Sequence, residues 1–376
     1  MNKLAVCTAL LQIVVCASFS LYGPKFGGDH YSYDSYFIQH RYPTTRIKTS
    51  LLVSYNGQAH EVDLTAGVLG PPELIRSLKI GEAVQAFRQS YKVCGTAYAS
   101  NFTISRVSYT PDAFILRNFL APDECDEIIK DASTSFMTRA ETITPGDTKS
   151  RKHCQVSWLS SGGPNTSRIV SSLVQATANL FLTADVKSDK EAGVEDLQVL
   201  RYDIGGEYVL HHDGEPRVLT VLYYLNGVGK TWFPLARTSE NIDDDPCKDI
   251  NHDEASEAFA KTRAGAVMPQ NKKQAMQLGE NFIPGQQGLL VQSLSGAIGD
   301  SQEETKKNLD NSNIAWINRG DALVFYNYLD DGSSRLNWRA LHTALPTGDG
   351  DGVKWIANHW FRGGTLASHR ENKKDT

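Results

Sequence analysis

The chain has 376 residues, 40% hydrophobic and 9% aromatic, enough to bury the core of one large or two modest domains. Its formal charge is -5, and its lysines and arginines form no dense tract, which argues against a nucleic-acid partner because a phosphate-neutralising surface is missing.

Residues 1–20 open with Lys3, an apolar run from Leu4 to Val15 broken by Gln12, and the small residues Ala17, Ser18 and Ser20. That order reads as a signal peptide. The run falls short of the roughly 20 residues that a bilayer span needs; an uncleaved anchor, attaching the protein to a membrane, is the alternative. Either reading places the remainder in the secretory pathway, with the lumen of the endoplasmic reticulum as the expected location. Cys7 and Cys16 lie in this leader, leaving Cys94, Cys125, Cys154 and Cys247, which an oxidising compartment could join into disulfides in any of three pairings. Asn101-Phe102-Thr103 and Asn165-Thr166-Ser167 are glycosylation sequons that suit such a chain.

Residues 21–110 carry no chemical constellation and read as an accessory extension. Within them, Leu51–Tyr55, the turn Asn56-Gly57 and His60–Leu64 predict a β-hairpin, and a short helix is expected after Pro71-Pro72. From Ala113 the pattern changes. Phe114-Ile115-Leu116 reads as a strand, and Pro122 opens a helix with Asp123 and Glu124 in its first turn and Cys125, Ile128, Ile129, Ala132 and Phe136 at helical spacing. A second helix from about Ser167 places Ile169, Leu173, Ala176 and Leu180 on one face; together the two helices should cover one side of a sheet. Strands follow at Leu197–Ile204, Tyr208–Asp213, Val218–Leu225, Ala322–Tyr326 and Val353–Phe361. Strands at this density, preceded by helices, predict a mainly β domain over 111–364 with flanking helices, a sandwich or barrel. Residues 237–318 interrupt the pattern and read as a long inserted loop with one helix around Glu254–Lys261. Residues 365–376 form a charged tail.

The chemistry centres on Tyr208-Val209-Leu210-His211-His212-Asp213. On an extended strand alternate side chains share a face, so His211 and Asp213 point together and His212 points away. With a distant histidine, such a pair makes the two-histidine, one-carboxylate face of non-haem iron oxygenases, which leaves metal positions open. A lone His-x-Asp is more often a surface pair. Leu341-His342, followed by Pro346, a Gly/Asp turn and Val353-Lys354-Trp355, strengthens the reading. Lys354 shares a face with Ile356, Asn358 and Trp360, and an unpaired ammonium among apolar residues is costly unless an anion meets it.

At this point the sequence resembles the prolyl 4-hydroxylase family of iron- and 2-oxoglutarate-dependent dioxygenases, over about Ala113 to Arg362. The shared segments are Phe119–Cys125, Leu197–Tyr202, the His211 strand, Arg217–Asn226, Gly229–Pro234, Gly320–Phe325 and His342–Trp360. The resemblance implies a double-stranded β-helix (a jelly roll, cupin-like core). It implies that His211, Asp213 and His342 bind Fe(2+), that Lys354 and Tyr224 bind the distal carboxylate of 2-oxoglutarate, and that Tyr202 is a catalytic-pocket residue. O2 and L-ascorbate complete the implied cofactors, and a proline-containing peptide or protein is the implied substrate. Hydroxylation of lysine or of a non-peptide substrate, or a non-catalytic lumenal binding protein of the same fold, are the alternatives. Arg151 is followed by Lys152-His153 where the family often has Arg-Thr-Ser, and the 237–318 span is longer than in the simplest members, so it could cap or extend the substrate groove. His212, His359 and His153 are expected not to be ligands, and Trp360 is expected to pack beside the pocket.

Overall fold

A computed structural model describes residues 11–14, 50–55, 58–63, 71, 73–91, 96–141, 150–162, 165–181, 193–214, 217–250, 252, 270–293, 313–331, 335–348 and 351–362. The helix expected around 254–261, Cys94 and the charged tail lie outside them. The first elements are β1 (Leu11–Val14), β2 (Ser50–Tyr55), β3 (Gln58–Asp63), the single helical turn α1 (Glu73–Arg76), β4 (Ala83–Tyr91), β5 (Ala97–Tyr109) and β6 (Asp112–Arg117). β2 and β3 are the expected hairpin, since Tyr55 faces Gln58 and only Asn56-Gly57 connects them. β1, inside the segment read as a leader, pairs with β2 and β4.

Helix α2 (Pro122–Thr134) begins where the sequence places it: Glu124 accepts the Ala121 N–H at 2.9 Å, and Cys125, Ile128 and Ala132 are buried. Burying a side chain the size of Ile128 contributes about 1.5–3 kcal/mol. Phe136 breaks the expected period. The hydroxyls of Ser133, Thr134 and Ser135 turn back on the carbonyls of Ile129 and Asp131, closing the helix, and Phe136 leaves it at φ 64, 86% exposed. After β7 (Thr138–Arg139) and β8 (Arg151–Leu159), α3 (Arg168–Phe181) buries Ile169, Leu173 and Leu180 as predicted.

β9 (Gly193–Val194) precedes β10 (Leu197–His211), which takes in the expected strands 197–204 and 208–213 but ends before Asp213. Its pairing register breaks between Tyr202 and Glu207. Gly205 there has φ 73, and a Cβ on Gly206 would stand 2.7 Å from the Asp203 carbonyl oxygen, so this bend requires glycine. The bend lets one strand serve two sheets. β11 (Arg217–Tyr224), β12 (Lys230–Phe233), α4 (Gln270–Glu280), β13 (Leu289–Ser293), β14 (Ile314–Ile317), β15 (Ala322–Tyr326), β16 (His342–Leu345) and β17 (Lys354–Arg362) complete the chain. The first half of β10, then β17, β11 and β15, form one antiparallel set; its second half, then β16, β12 and β13, form the other. Two four-stranded sheets wound in this order are a double-stranded β-helix, the expected fold.

β6, β5 and β4 extend the first sheet beyond β15, so the region read as an accessory extension shares its core: Val84, Ala86, Phe102 and Ile104 pack with Leu116, Leu219 and Tyr223 beneath α2 and α3. A second core, including Leu200, Tyr202, Leu222, Phe233 and Phe325, fills the space between the sheets. The span 237–318 is no simple loop. It supplies α4, β13 and β14, and a third core of Leu235, Cys247, Ala275, Trp338 and Leu341 lies against the outer side of the second sheet. Cys125, Cys154 and Cys247 are free and buried, so no disulfide joins the cysteines among the described residues. Burial pushes their thiols up to about 12, 11 and 11, leaving them protonated and unreactive.

Candidate active site

His211 and His342 face each other directly across β10 and β16, where neighbouring side chains lie closest. Their ring centroids are 4.2 Å apart. Asp213 joins them from the turn after β10, with Oδ1 3.8 Å from His211 Nε2, and the ligand atoms of His211, Asp213 and His342 all lie within 4.8 Å of one another. Strand alternation is therefore not what brings Asp213 to the site, although its conclusion about His212 holds. His212 receives the Gly214 N–H on Nδ1 at 2.9 Å, donates from Nε2 to the Asn337 carbonyl at 3.1 Å, and packs edge-on against Trp338. Both of its nitrogens are occupied, so it cannot ligate. His359 bonds Ser161 at 2.9 Å on the other face of β17, and His153 sits at φ 46 in the exposed bulge of β8; neither is near the cluster as a ligand.

The donor set fits a divalent metal. His211 Nδ1 donates to the Val209 carbonyl at 2.8 Å and His342 Nδ1 to the Ala340 carbonyl at 2.9 Å, which fixes each tautomer with its Nε2 lone pair free. Burial, with His342 alongside, pushes His211 well below the usual imidazole range, so the ring is neutral. Burial raises the Asp213 carboxyl, but His342, His211, Arg217 and the Thr220 hydroxyl together outweigh it and hold the group below the usual carboxylate range. A neutral imidazole and an ionised carboxylate are the ligating forms. Aromatic rings fix the imidazoles: Tyr208 stacks on His211 at 3.6 Å between centroids, and Phe233 and Phe325 hold His342 at 5.1 and 5.0 Å.

In the first sheet, lining the same space between the sheets, lies Lys354, 0% exposed, paired in register with Tyr202 of β10. Its Nζ sits 5.4 Å from the Tyr202 ring centroid and donates to the Lys230 carbonyl at 3.3 Å. Among the described residues no carboxylate pairs with it, and burial pushes the ammonium down to about 8. Gly229 leaves room for the stem, since a Cβ there would stand 2.3 Å from Lys354 Cδ. The position of Tyr202 is thus beside the lysine. Tyr224, fully buried, donates its hydroxyl to Thr231 at 3.1 Å, and burial keeps both phenols protonated.

Sequence reasoning placed Trp360 beside the pocket and singled out Arg151, but missed Trp158, Arg217 and Glu195. Trp158, 47% exposed, and Trp360 lie on the inner face with centroids 6.2 Å apart, and the Arg217 guanidinium covers Trp360 at 3.7 Å while paired through two 2.8 Å bonds with Glu195. Arg151 is buried over the Tyr208 ring at 4.1 Å and reaches Gln198 at 3.4 Å. The signal was available in register: Trp158, Gln198, Asn358 and Leu222 line up across β8, β10, β17 and β11, and Trp360 faces Thr220 one step on.

No protein-family model matches the chain. Among curated proteins, "Probable prolyl 4-hydroxylase 8" of Arabidopsis thaliana is 32% identical over 153 residues, covering 37% of this chain and 50% of that protein. "Prolyl 4-hydroxylase 2" of the same plant is 33% identical over 160 residues, covering 38% and 52%. The chain spans about half the length of these curated relatives. Among solved structures, the viral collagen prolyl hydroxylase of Paramecium Bursaria Chlorella virus-1 aligns over 67% of this chain and 96% of its own at 19% identity and a TM-score of 0.34; the fold assignment rests on the strand pairing itself. By sequence the chain resembles the prolyl 4-hydroxylases, and its fold brings together His211, Asp213 and His342, and places Lys354 beside Tyr202.

Proposed function

We propose that the chain is an iron(II)- and 2-oxoglutarate-dependent dioxygenase that hydroxylates peptidyl proline. The observation that carries this reading is the pairing of the His211, Asp213 and His342 cluster with the buried ammonium of Lys354 inside one barrel. Three protein ligands on one side of a metal leave positions for a bidentate acid and O2. When bound, iron with 2-oxoglutarate supplies the oxidation of an unactivated C–H bond, with ascorbate as the expected reductant. The chain's own part is to hold and orient. Lys354, supported by the protonated phenols of Tyr202 and Tyr224, offers the distal carboxylate a buried cation, while Phe233, Phe325 and Leu222 keep the space between sheets apolar. An extended, proline-containing peptide would find a flat apolar surface in Trp158, which is 47% exposed beside the buried Trp360. A secretory location accords with sequon residues Asn101 and Asn165, both exposed.

The test is iron-dependent conversion of 2-oxoglutarate to succinate by the purified chain, with proline-rich and lysine-containing peptides in separate arms and the products read by mass spectrometry. Oxygen gain on proline is expected. Gain on lysine alone would move the substrate assignment, and no iron-dependent succinate in any arm would reduce the chain to a binding protein of this fold.

A further inference from the structure

Asp213 is held from behind by a chain of directed hydrogen bonds. Thr220 of β11 donates its hydroxyl to Asp213 Oδ2 at 2.6 Å, and Asn327, just past β15, donates its side-chain amide to the same Thr220 oxygen at 2.9 Å. The direction of each bond is forced. A carboxylate can only accept, so the Thr220 proton lies towards Asp213; the Asn327 NH2 meets the lone pair left over and keeps the hydroxyl from rotating away. Thr220 and Asn327 are both buried. The Asn327 Oδ1 has no donor among the described residues. A buried amide that leaves its own acceptor unused is placed for what its NH2 holds. Its backbone ties the same unit together: the Asn327 N–H bonds the Val218 carbonyl on β11, and the Asn337 N–H bonds the Asn327 carbonyl, one 3-10 turn before His342.

We propose that Thr220, oriented by Asn327, is a positioning residue that engages one carboxylate oxygen of Asp213 and so restricts this ligand to a single metal-facing oxygen. The inference rests on the metal-site reading above. With Oδ2 engaged, Oδ1 alone turns to the histidines, and the carboxylate cannot close on a metal with both oxygens and take up a position that co-substrate or oxygen needs.

The measurement is metal affinity of the apo-protein, by anaerobic titration with Co(2+), whose electronic spectrum also reports the coordination change, and without substrate. Thr220→Val, which keeps the shape and removes the donor, should weaken binding by about 10- to 100-fold, the usual effect of losing such a partner, and alter the cobalt spectrum; Thr220→Ser should restore both. Asn327→Leu should weaken binding in the wild-type background and have no further effect in Thr220→Val, because it acts through the hydroxyl; a general packing role would give additive losses. Unchanged affinity and spectrum in folded Thr220→Val, or additivity in the double variant, overturns the proposal. Should Thr220→Val fail to fold, Thr220→Ser against Asn327→Leu decides by the same two readouts. Absence of metal binding by the wild-type chain would instead overturn the metal-site reading.

Discussion

Lys354→Met separates an ammonium kept for a ligand from one kept for the fold, because the two roles give opposite signs. In the folded protein burial takes the ammonium from 10.5 to about 8, and at 1.36 kcal/mol for each unit this amounts to about 3 kcal/mol by which burial disfavours the charge. Among the described residues its only polar partner is the Lys230 carbonyl at 3.3 Å, and no carboxylate offsets that penalty. Methionine keeps the length and apolar stem and removes the charge, so the apo-protein should become more stable, raising Tm by about 2–4 °C for each kcal/mol recovered. Affinity for 2-oxoglutarate should fall in the same variant by about 2–5 kcal/mol, roughly 30-fold to several thousand-fold. The assay is calorimetric titration of 2-oxoglutarate into the manganese-loaded protein, alongside thermal denaturation. The pH dependence follows from the same group. A carboxylate pairs with the charged form, so wild-type affinity holds below about 8 and declines as pH rises above it, whereas Lys354→Met should show a low, flat affinity across that window. A variant less stable than wild type with unchanged affinity would refute the reasoning and make Lys354 a structural group.

His212→Ala should keep metal affinity whereas His211→Ala should lose it, because both His212 nitrogens are already bonded; titration of the two apo-proteins checks this, and the reverse order would mean that the strand is out of register. Gly229→Ala puts a Cβ against the Lys354 stem at φ 115, so it should weaken 2-oxoglutarate while leaving metal binding intact, which the same two titrations measure. Arg339→Leu strands the buried Asp245 carboxylate, which Arg339 meets at 2.7 and 3.0 Å, and should lower stability in denaturant by about 3–5 kcal/mol. An unchanged unfolding midpoint would show that this pair does not anchor the inserted segment.

Of the proposed metal and co-substrate residues, Tyr202 and Tyr224 were reached through the family resemblance, whereas Lys354, His211 and Asp213 stand out from their local pattern. Lys354 stands in an apolar strand, and His211 and Asp213 flank a histidine of opposite direction. The hairpin, α2, α3, β15 and β17 were legible for the opposite reason, that composition, caps and period all agree there. Phe136 was misread because the helical period continues through it while three hydroxyl residues in succession close the helix before it. β13 was missed because Leu289-Leu290-Val291 is a short apolar run inside polar sequence, and such a run gains its identity only from pairing with β12. Thr220 and Asn327 could not be read at all: one is an ordinary polar position in a strand and the other follows a strand's end, and only the spatial approach of β11, β15 and the turn after His211 gives them a role.

The described residues of the span 237–318, which leave out 251, 253–269 and 294–312, acquire their place from tertiary packing rather than from composition. Ala275, Met276 and Leu278 of α4, with Phe282 just after it, pack in the third core behind the second sheet. Leu210, next to His211, turns outward into that core, where a Cβ on Gly279 would approach its Cδ2 to 2.9 Å. Leu341, next to His342, does the same, and Arg339 in the preceding turn is clamped by Asp245 and the carbonyls of Leu235 and Cys247. Alternate residues of a strand are fixed to opposite faces, so whatever presses on Leu210 and Leu341 from outside sets the reach of His211 and His342 inside. The described part of the inserted segment, α4 above all, thereby bears on His211 and His342 from outside the second sheet, and changes in α4 should register as metal affinity.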